Sequence, residues 1–219
     1  MGFSKTKSNL AISLCAAVAI VVLDQLIKHA VKTNFCLHDS YEVTSWMYIY
    51  FVENSGMAFG MSFIGTAFLT IVRVALVAVM AYYLCRIVVR RYPTGYIICI
   101  SLVLAGALGN IIDNAFYGLI YSLSTEYDVA ELVPFGQGYG SFMSGKVVDM
   151  FYFPIIQTTL PDWIPFFGGR YFVFFSPVFN FADASITCGS IIIILFYRKY
   201  LTSIKTFALN EADIVRKNK

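Results

Sequence analysis

Four carboxylates stand in apolar stretches of the sequence and could take part in acid–base chemistry. They are Asp24, Asp113, Asp149 and Asp183. An ionisable group in such surroundings is costly, so each one is a candidate functional residue. Two carboxylates held close together share a proton, which leaves one as general base for a water molecule and the other as general acid for a carbonyl. That chemistry is typical of an aspartic peptidase.

The spacing of neighbouring polar residues favours a common site but leaves its function open. Asn110 precedes Asp113, and Asn180 precedes Asp183, by three positions, so each pair shares one face of a helix. Asp149 follows two valines in a stretch that we expect at the membrane surface. Carboxylates inside membranes also line proton and ion pathways. A peptidase and a small proton-coupled transporter are therefore both open on spacing alone.

Asp24 has a basic partner one helical turn further along the chain. Lys28 follows it by four positions, and side chains at this spacing can form an ion pair on one helix face. The simplest interpretation of these two residues is a structural ion pair.

The composition shows what must position these residues. Of 219 residues, 58% are hydrophobic and 13% are charged, whereas a soluble domain has about 25% charged residues. Five scattered cysteines argue against a disulfide scaffold, and only two histidines argue against the common zinc sites. We therefore predict a polytopic membrane protein.

Four apolar stretches have about the 20 residues that a membrane-spanning helix needs. They lie at about 10–31, 64–85, 96–112 and 172–197. The fold class expected is an all-α integral membrane protein with four transmembrane helices, formed by residues 1–219 as a single domain.

Two outward segments, about 33–63 and 115–171, should add a small β-rich platform and an aromatic loop. Residues 43–52 of the first segment read as one strand, because they are rich in β-branched and aromatic residues. The second segment is rich in aromatic residues, which indicates the membrane interface. The carboxylates in these segments, Glu53 among them, are expected to be solvated.

Basic residues set the orientation of the spans. Eleven of the 16 lysines and arginines lie in the N-terminal flank, the link between spans two and three, and the C-terminal tail. The positive-inside rule places these three segments and both termini in the cytoplasm. Asp113, Asp149 and Asp183 then lie at one depth near the outer surface. The net charge of +3 reflects this topology, so no nucleic-acid partner is expected.

Other functions fit the sequence less well. A Ser-His-Asp site lacks a suitable histidine, and no G-x-S-x-G motif occurs. A proton-coupled transporter would need polar groups across the membrane, but residues 10–23 and 186–196 carry no charge. A membrane scaffold without enzymatic activity remains as a further alternative.

Five short motifs occur in order along the chain. They are Asp24-Gln25-x-x-Lys28, Asn54-x-Gly56-x-Ala58-Phe59, Gly106-Ala107-x-Gly109-Asn110-x-x-Asp113, Val147-Val148-Asp149 and Phe179-Asn180-x-Ala182-Asp183-x-x-Ile186. Each is weak by itself, but five in the right order on a four-span chain are specific. With these motifs the chain resembles lipoprotein signal peptidase, or signal peptidase II, a bacterial family of intramembrane aspartic peptidases.

The resemblance implies a function and a set of site residues. The family removes the signal peptide of diacylglyceryl-modified prolipoproteins before the lipidated cysteine, at the outer face of the bacterial plasma membrane. It implies that Asp149 and Asp183 are the catalytic pair. The residues that it implies in supporting or substrate-binding roles are Asp24, Lys28, Asn54, Gly56, Asn110, Asp113, Asn180 and Ala182. Prolipoproteins and membrane lipids are the implied partners, no metal or organic cofactor is implied, and we expect a monomer.

The chain departs from the family pattern in two places. The family usually has arginine where Asn114 stands, so we expect Lys146 or Arg170 to take over its role. The two catalytic candidates are also farther apart in sequence than is usual. We expect the additional residues, about 155–176 and 122–140, to enlarge the outward cover and shape substrate access.

Overall fold

The computed structural model of the chain describes residues 2–55 and 66–201. Its helices are α1 (Gly2–Lys32), α2 (Thr66–Val89), α3 (Thr94–Ile112), α4 (Gly118–Ile120) and α5 (Phe181–Phe196). Its strands are β1 (Ser40–Thr44), β2 (Met47–Asn54), β3 (Val147–Tyr152), β4 (Ile156–Thr159), β5 (Tyr171–Phe174) and β6 (Val178–Phe179). A π-helical turn at Asp113–Tyr117 connects α3 to α4.

Within the described ranges, three helical segments are long and apolar enough to cross a membrane: Lys7–Lys32, Thr70–Val89 and Thr94–Ile120. They lie where the first three spans were predicted. The third extends beyond its predicted end at residue 112, so the segment predicted to face outward from residue 115 starts after Ile120 instead.

The fourth predicted span, 172–197, is wrong in its first part. Residues 172–174 belong to β5 and residues 178–179 to β6, and only 181–196 are helical. The Asn180 side chain accepts a hydrogen bond from the Asp183 backbone, and the Asp183 side chain accepts one from the Asn180 backbone. This capping box fixes the start of α5. The helix has 16 residues, fewer than the about 20 that span a typical bilayer.

Helix α3 lies at the centre of the helical part and packs against α1, α2 and α5. Two glycines allow its close approach to α1 and α5. A Cβ atom on Gly106 would lie 2.4 Å from the Ala182 carbonyl oxygen, and one on Gly109 would lie 2.6 Å from Asp24 Oδ2. Small residues permit such helix contacts in membranes, where dispersion replaces the hydrophobic effect between helices.

The described strands form two separate sheets. The larger sheet is antiparallel with the order β1-β2-β3-β6, and the smaller one contains β4 and β5. The single strand predicted at 43–52 is instead a hairpin, because the chain turns at Ser45 and Trp46 between β1 and β2. Strand propensity alone does not detect a turn that lacks glycine or proline.

The larger sheet packs on one end of the helices, at the end of α1 and the π-helical turn. Phe51, Val148 and Met150 from the sheet are fully buried against Val31 of α1 and Tyr117 of the π-helical turn. The register places Val52 of β2 beside Asp149 of β3. This packing fixes β3, and therefore Asp149, close to the end of α3.

Candidate active site

The ion pair predicted between Asp24 and Lys28 is part of a larger buried network. Lys28 Nζ lies 2.9 Å from Asp24 Oδ2, as predicted, and 2.7 Å from Asp113 Oδ2, and all three side chains are fully buried. Lys28 also donates to Asn110 Oδ1 at 2.8 Å. One ammonium thus pairs with two buried carboxylates, and buried charges need such partners.

Hydrogen bonds extend this network to α1 and α5. Gln25 Nε2 donates to Asp113 Oδ1 at 2.8 Å. The Ala182 backbone N–H donates to Asp24 Oδ1 at 2.9 Å. Ala182 therefore contributes its backbone N–H to the network, and its carbonyl oxygen lies against Gly106 of α3.

Asn180 connects the two candidate catalytic carboxylates. Its side chain donates to Asp149 Oδ1 at 2.6 Å, while its Oδ1 accepts from the Asp183 backbone N–H at 2.9 Å. Asn110 Nδ2 donates to Asp183 Oδ1 at 2.8 Å. Asn180 also donates to Asn110 Oδ1 at 3.1 Å, so the two amides orient each other.

Asp149 is buried on β3 and faces a second amide. Asn54 Nδ2, at the end of β2, donates to Asp149 Oδ2 at 3.5 Å. Burial and the nearby charge of Asp183 raise the pKa of Asp149 to about 7, against the opposing effects of the Asn180 hydrogen bond, Lys28 and Asn54. A carboxyl group with this pKa holds or releases a proton near neutral pH, as acid–base catalysis requires.

A cavity of about 440 Å³ opens beside Asp183. Its lining residues are Phe175, Pro177, Phe179, Asp183, Ala184, Thr187 and Cys188. Phe175, Pro177, Phe179 and Ala184 are apolar, so the cavity suits an apolar group placed next to a carboxylate.

Asn114, which stands where the family usually has arginine, has a basic partner on α2. Lys146 pairs with Glu53 at 3.1 Å, and Arg170 lies over the Phe167 ring at 5.6 Å. Arg73 of α2 is the residue that donates to Asn114 Oδ1, at 2.5 Å. An arginine in the middle of an apolar helix was the sequence signal for this contact.

A second buried ion cluster surrounds Glu53, which the sequence led us to expect in solvent. Lys32 pairs with Glu53 and donates to Ser124 Oγ at 2.8 Å. Burial works against the charged form, but the ammonium groups of Lys32 and Lys146 outweigh it and hold the pKa of Glu53 below its usual value. The cluster ties β2, next to Asn54, to the end of α1.

The structure thus brings together seven predicted supporting residues with the two candidate catalytic ones. Gly56 lies outside the described residues. Within the part of the chain that is described, no group of three His, Cys, Asp or Glu side chains could hold a metal ion.

Known proteins are similar to this chain over most of its length. It matches the family model for signal peptidase (SPase) II over residues 16–199. The lipoprotein signal peptidase of Porphyromonas gingivalis is 46% identical over 181 residues, which cover 82% of this chain and 80% of that protein. The lipoprotein signal peptidase of Amoebophilus asiaticus is 33% identical, over 82% of this chain and 74% of that protein.

Solved structures of bacterial membrane enzymes are similar to this chain in both fold and sequence. A bacterial membrane enzyme with 26% identity superposes with a TM-score of 0.57, covering 90% of this chain and 91% of that one. A second structure of a bacterial membrane enzyme has 27% identity and the same TM-score. Sequence and structure therefore agree that the chain belongs to the signal peptidase II family and is a membrane peptidase of lipoprotein processing.

Proposed function

We propose that this peptidase cleaves diacylglyceryl-modified prolipoproteins just before the lipidated cysteine, with Asp149 and Asp183 as a catalytic dyad. The observation that carries the proposal is the position of Asn180, whose amide group contacts the Asp149 carboxylate on one side and the Asp183 backbone on the other. A residue that contacts both aspartates limits the distance and orientation of one carboxylate relative to the other. Catalysis by a dyad needs such a defined geometry.

The chemistry follows from a shared proton. The ionised carboxyl group takes a proton from water as the water oxygen bonds to the scissile carbonyl carbon, and the protonated carboxyl group donates its proton to the carbonyl oxygen. The tetrahedral intermediate then collapses as the carboxyl group that took the water proton passes it to the leaving nitrogen and the C–N bond breaks. The other carboxylate takes back a hydroxyl proton as the C=O bond re-forms, which restores the dyad. The raised pKa of Asp149, about 7, favours it as the holder of the shared proton in the resting enzyme. The dyad nevertheless titrates as a unit.

The surrounding groups act as positioning residues in this proposal. Asn54, Asn110 and Asn180 direct amide N–H groups at the two carboxylates. The buried network around Lys28 holds α1 and α3 together beneath them. The apolar cavity beside Asp183 would receive the lipidated end of the substrate.

The location of the site is also part of the proposal. Basic flanks on the cytoplasmic side would place both termini inside the cell and the dyad near the outer face of the plasma membrane. A substrate anchored in the outer leaflet could then reach the site by lateral diffusion.

The test is cleavage of a diacylated prolipoprotein by purified protein in detergent. Asp149→Asn and Asp183→Asn keep the side-chain shape but remove the acid–base group, so each should lower kcat by about 100-fold or more. Glu126→Gln, which alters an exposed carboxylate far from the dyad in sequence, is the matched control and should cleave normally. Near-normal turnover of either folded Asn variant would exclude that aspartate from the dyad.

A further inference from the structure

The segment 155–175, which contains β4 and β5, forms an arm with an unusual surface. It carries seven aromatic residues and only two charged ones, Asp162 and Arg170. All seven aromatic side chains are exposed: Trp163, Phe166, Phe167, Tyr171, Phe172, Phe174 and Phe175. Contact with water would be unfavourable for such an apolar surface, and apolar patches of this kind mark contacts with protein or membrane.

The arm has a defined structure of its own. β4 and β5 pair in register, with Ile156 opposite Phe174 and Thr158 opposite Phe172. The connecting loop is closed by a hydrogen bond from the Leu160 N–H to the Arg170 carbonyl at 2.9 Å. Two-stranded sheets are marginally stable in water unless something covers one face.

The two faces of this small sheet differ in polarity. Directly paired side chains share a face and alternate along each strand, so one face carries Ile156, Thr158, Phe172 and Phe174. The other face carries Gln157, Thr159, Tyr171 and Val173, and the Tyr171 hydroxyl donates to Gln157 Oε1 at 2.5 Å. One mostly apolar face and one mostly polar face suit a boundary between lipid and water.

The base of the arm joins the membrane surface of the protein. The Phe175 ring lies 5.9 Å from the Phe179 ring, one residue before the cap of α5. Phe175 and Phe179 also line one cavity together with Thr187 and Cys188 of α5, which are exposed. The exposed side of α5 continues from there with Ile191 and Ile192. The apolar surface of the arm thus meets the exposed apolar side of α5.

We propose that the arm lies in the outer leaflet of the membrane. Trp163, Phe166 and Phe167 then lie at the interface between lipid headgroups and water, and the apolar face of the β4–β5 sheet contacts the acyl chains. Aromatic side chains favour the headgroup region, and the guanidinium of Arg170 over Phe167 adds a cation that phosphate groups attract. The occupant of the apolar face is therefore phospholipid.

The arm also borders the way into the site. Phe175 lines the cavity beside Asp183, together with Thr187 and Cys188 on the exposed side of α5. A lipid-anchored substrate that moves within the leaflet would pass between the arm and α5. This step rests on the proposed function, whereas the membrane contact itself does not.

Tryptophan fluorescence tests the membrane contact without any activity. The chain has two tryptophans, so Trp46→Phe leaves Trp163 as the single reporter. The variant is placed at one copy per nanodisc, in phosphatidylglycerol with or without brominated phosphatidylcholine. The brominated lipid should quench Trp163 strongly, and aqueous iodide should quench it weakly.

A matched reporter defines exposure to water. In the variant Trp46→Phe, Trp163→Phe and Tyr127→Trp, the new tryptophan replaces an 88% exposed side chain between Glu126 and Asp128. It should be quenched by iodide and not by brominated lipid. Equal iodide quenching of the two reporters would overturn the proposal, and so would protection of Trp163 from both quenchers, which would indicate a protein contact.

Kinetics in the same nanodiscs tests the entrance. The double variant Phe166→Ser and Phe167→Ser should raise KM for a diacylated substrate several-fold and leave kcat unchanged, while Tyr127→Ser should alter neither. An unchanged KM would refute the role at the entrance. Absence of cleavage by the wild-type protein would count against the proposed function, and the quenching result would still stand.

Discussion

At the scale of single residues, burial and neighbouring charges determine the protonation of Asp149. Asp149 is buried beside a second carboxylate, which disfavours its ionised form, and two asparagines donate hydrogen bonds that favour it. The balance places its pKa at about 7. Small changes in hydrogen bonding should therefore move the proton equilibrium of the dyad within an accessible pH range.

Asn180→Ser is the sharpest test of that balance. Serine can still cap α5, but it lacks the amide donor that contacts Asp149 at 2.6 Å. Loss of this donor removes a stabiliser of the carboxylate, so the pKa of Asp149 should rise further. The alkaline limb of the kcat/KM profile, where the dyad loses its shared proton, should move to higher pH, with a lower maximum. An alkaline limb at the wild-type position would show that Asn180 does not control this proton.

Lys28 tests the buried network. Lys28→Met would leave Asp24 and Asp113 buried without their shared cation, and breaking a buried ion pair in this way costs about 3–5 kcal/mol of unfolding free energy. Adding Asp113→Asn removes one of the orphaned charges and should restore part of the stability. Thermal unfolding in detergent measures both. A double variant no more stable than Lys28→Met would contradict the electrostatic explanation.

At the scale of elements, α3 is the helix on which the site depends. It carries Asn110 near its C-terminal end, with Asp113 directly after it in the π-helical turn, and it packs against α1, α2 and α5. Its approach to α1 and α5 depends on Gly106 and Gly109. The distances between carboxylates on different elements therefore depend on the close helix contacts at Gly106 and Gly109.

Gly109→Ala tests this dependence. Alanine is the better helix former by about 1 kcal/mol, so helix propensity alone would stabilise the variant. The added Cβ would lie 2.6 Å from Asp24 Oδ2 and 3.3 Å from Ala182 Cβ, so α1 or α5 must move. We expect a lower unfolding temperature and lower kcat. A variant with raised stability and full activity would show that the close approach is not required.

At the scale of the whole molecule, charge and hydropathy predict the orientation in the membrane. The exposed apolar residues cover α1, α2 and α5, while the larger sheet and the two ion clusters gather at one end of the helices. At the opposite end, Arg86 lies in the last turn of α2, and the short link between α2 and α3 carries Arg90 and Arg91. The positive-inside rule predicts that this link faces the cytoplasm.

Cysteine labelling in spheroplasts tests the orientation. In a variant with the five native cysteines replaced by serine, Tyr127→Cys should react with a membrane-impermeant maleimide in intact spheroplasts, since residue 127 is exposed and lies in the segment predicted to face outward. Arg91→Cys, at the other end, should react only after permeabilisation. The reverse pattern would invert the topology and place the dyad near the cytoplasm.

The sequence alone determined much of the local organisation. It predicted a membrane protein, the position of three long spans and the Asp24–Lys28 ion pair. These features depend on spacing within a single helix or on the apolar content of one segment, which a sequence displays directly. The start of α5 and the β1–β2 hairpin were missed, because a long apolar run looks alike as a helix or as strands.

Only the tertiary structure decided which residues pair across elements. Lys28 with Asp113, Arg73 with Asn114, and Glu53 with Lys32 join positions far apart in the chain. Helix crossings and strand register choose such partners, and neither leaves a periodic signal in the sequence. The same holds for the separation of β4 and β5 into an aromatic arm, since a pattern of aromatic residues shows apolar surface but not what covers it. The sequence thus supplied the chemical groups, and the packing of α1, α3, α5 and β3 set their distances.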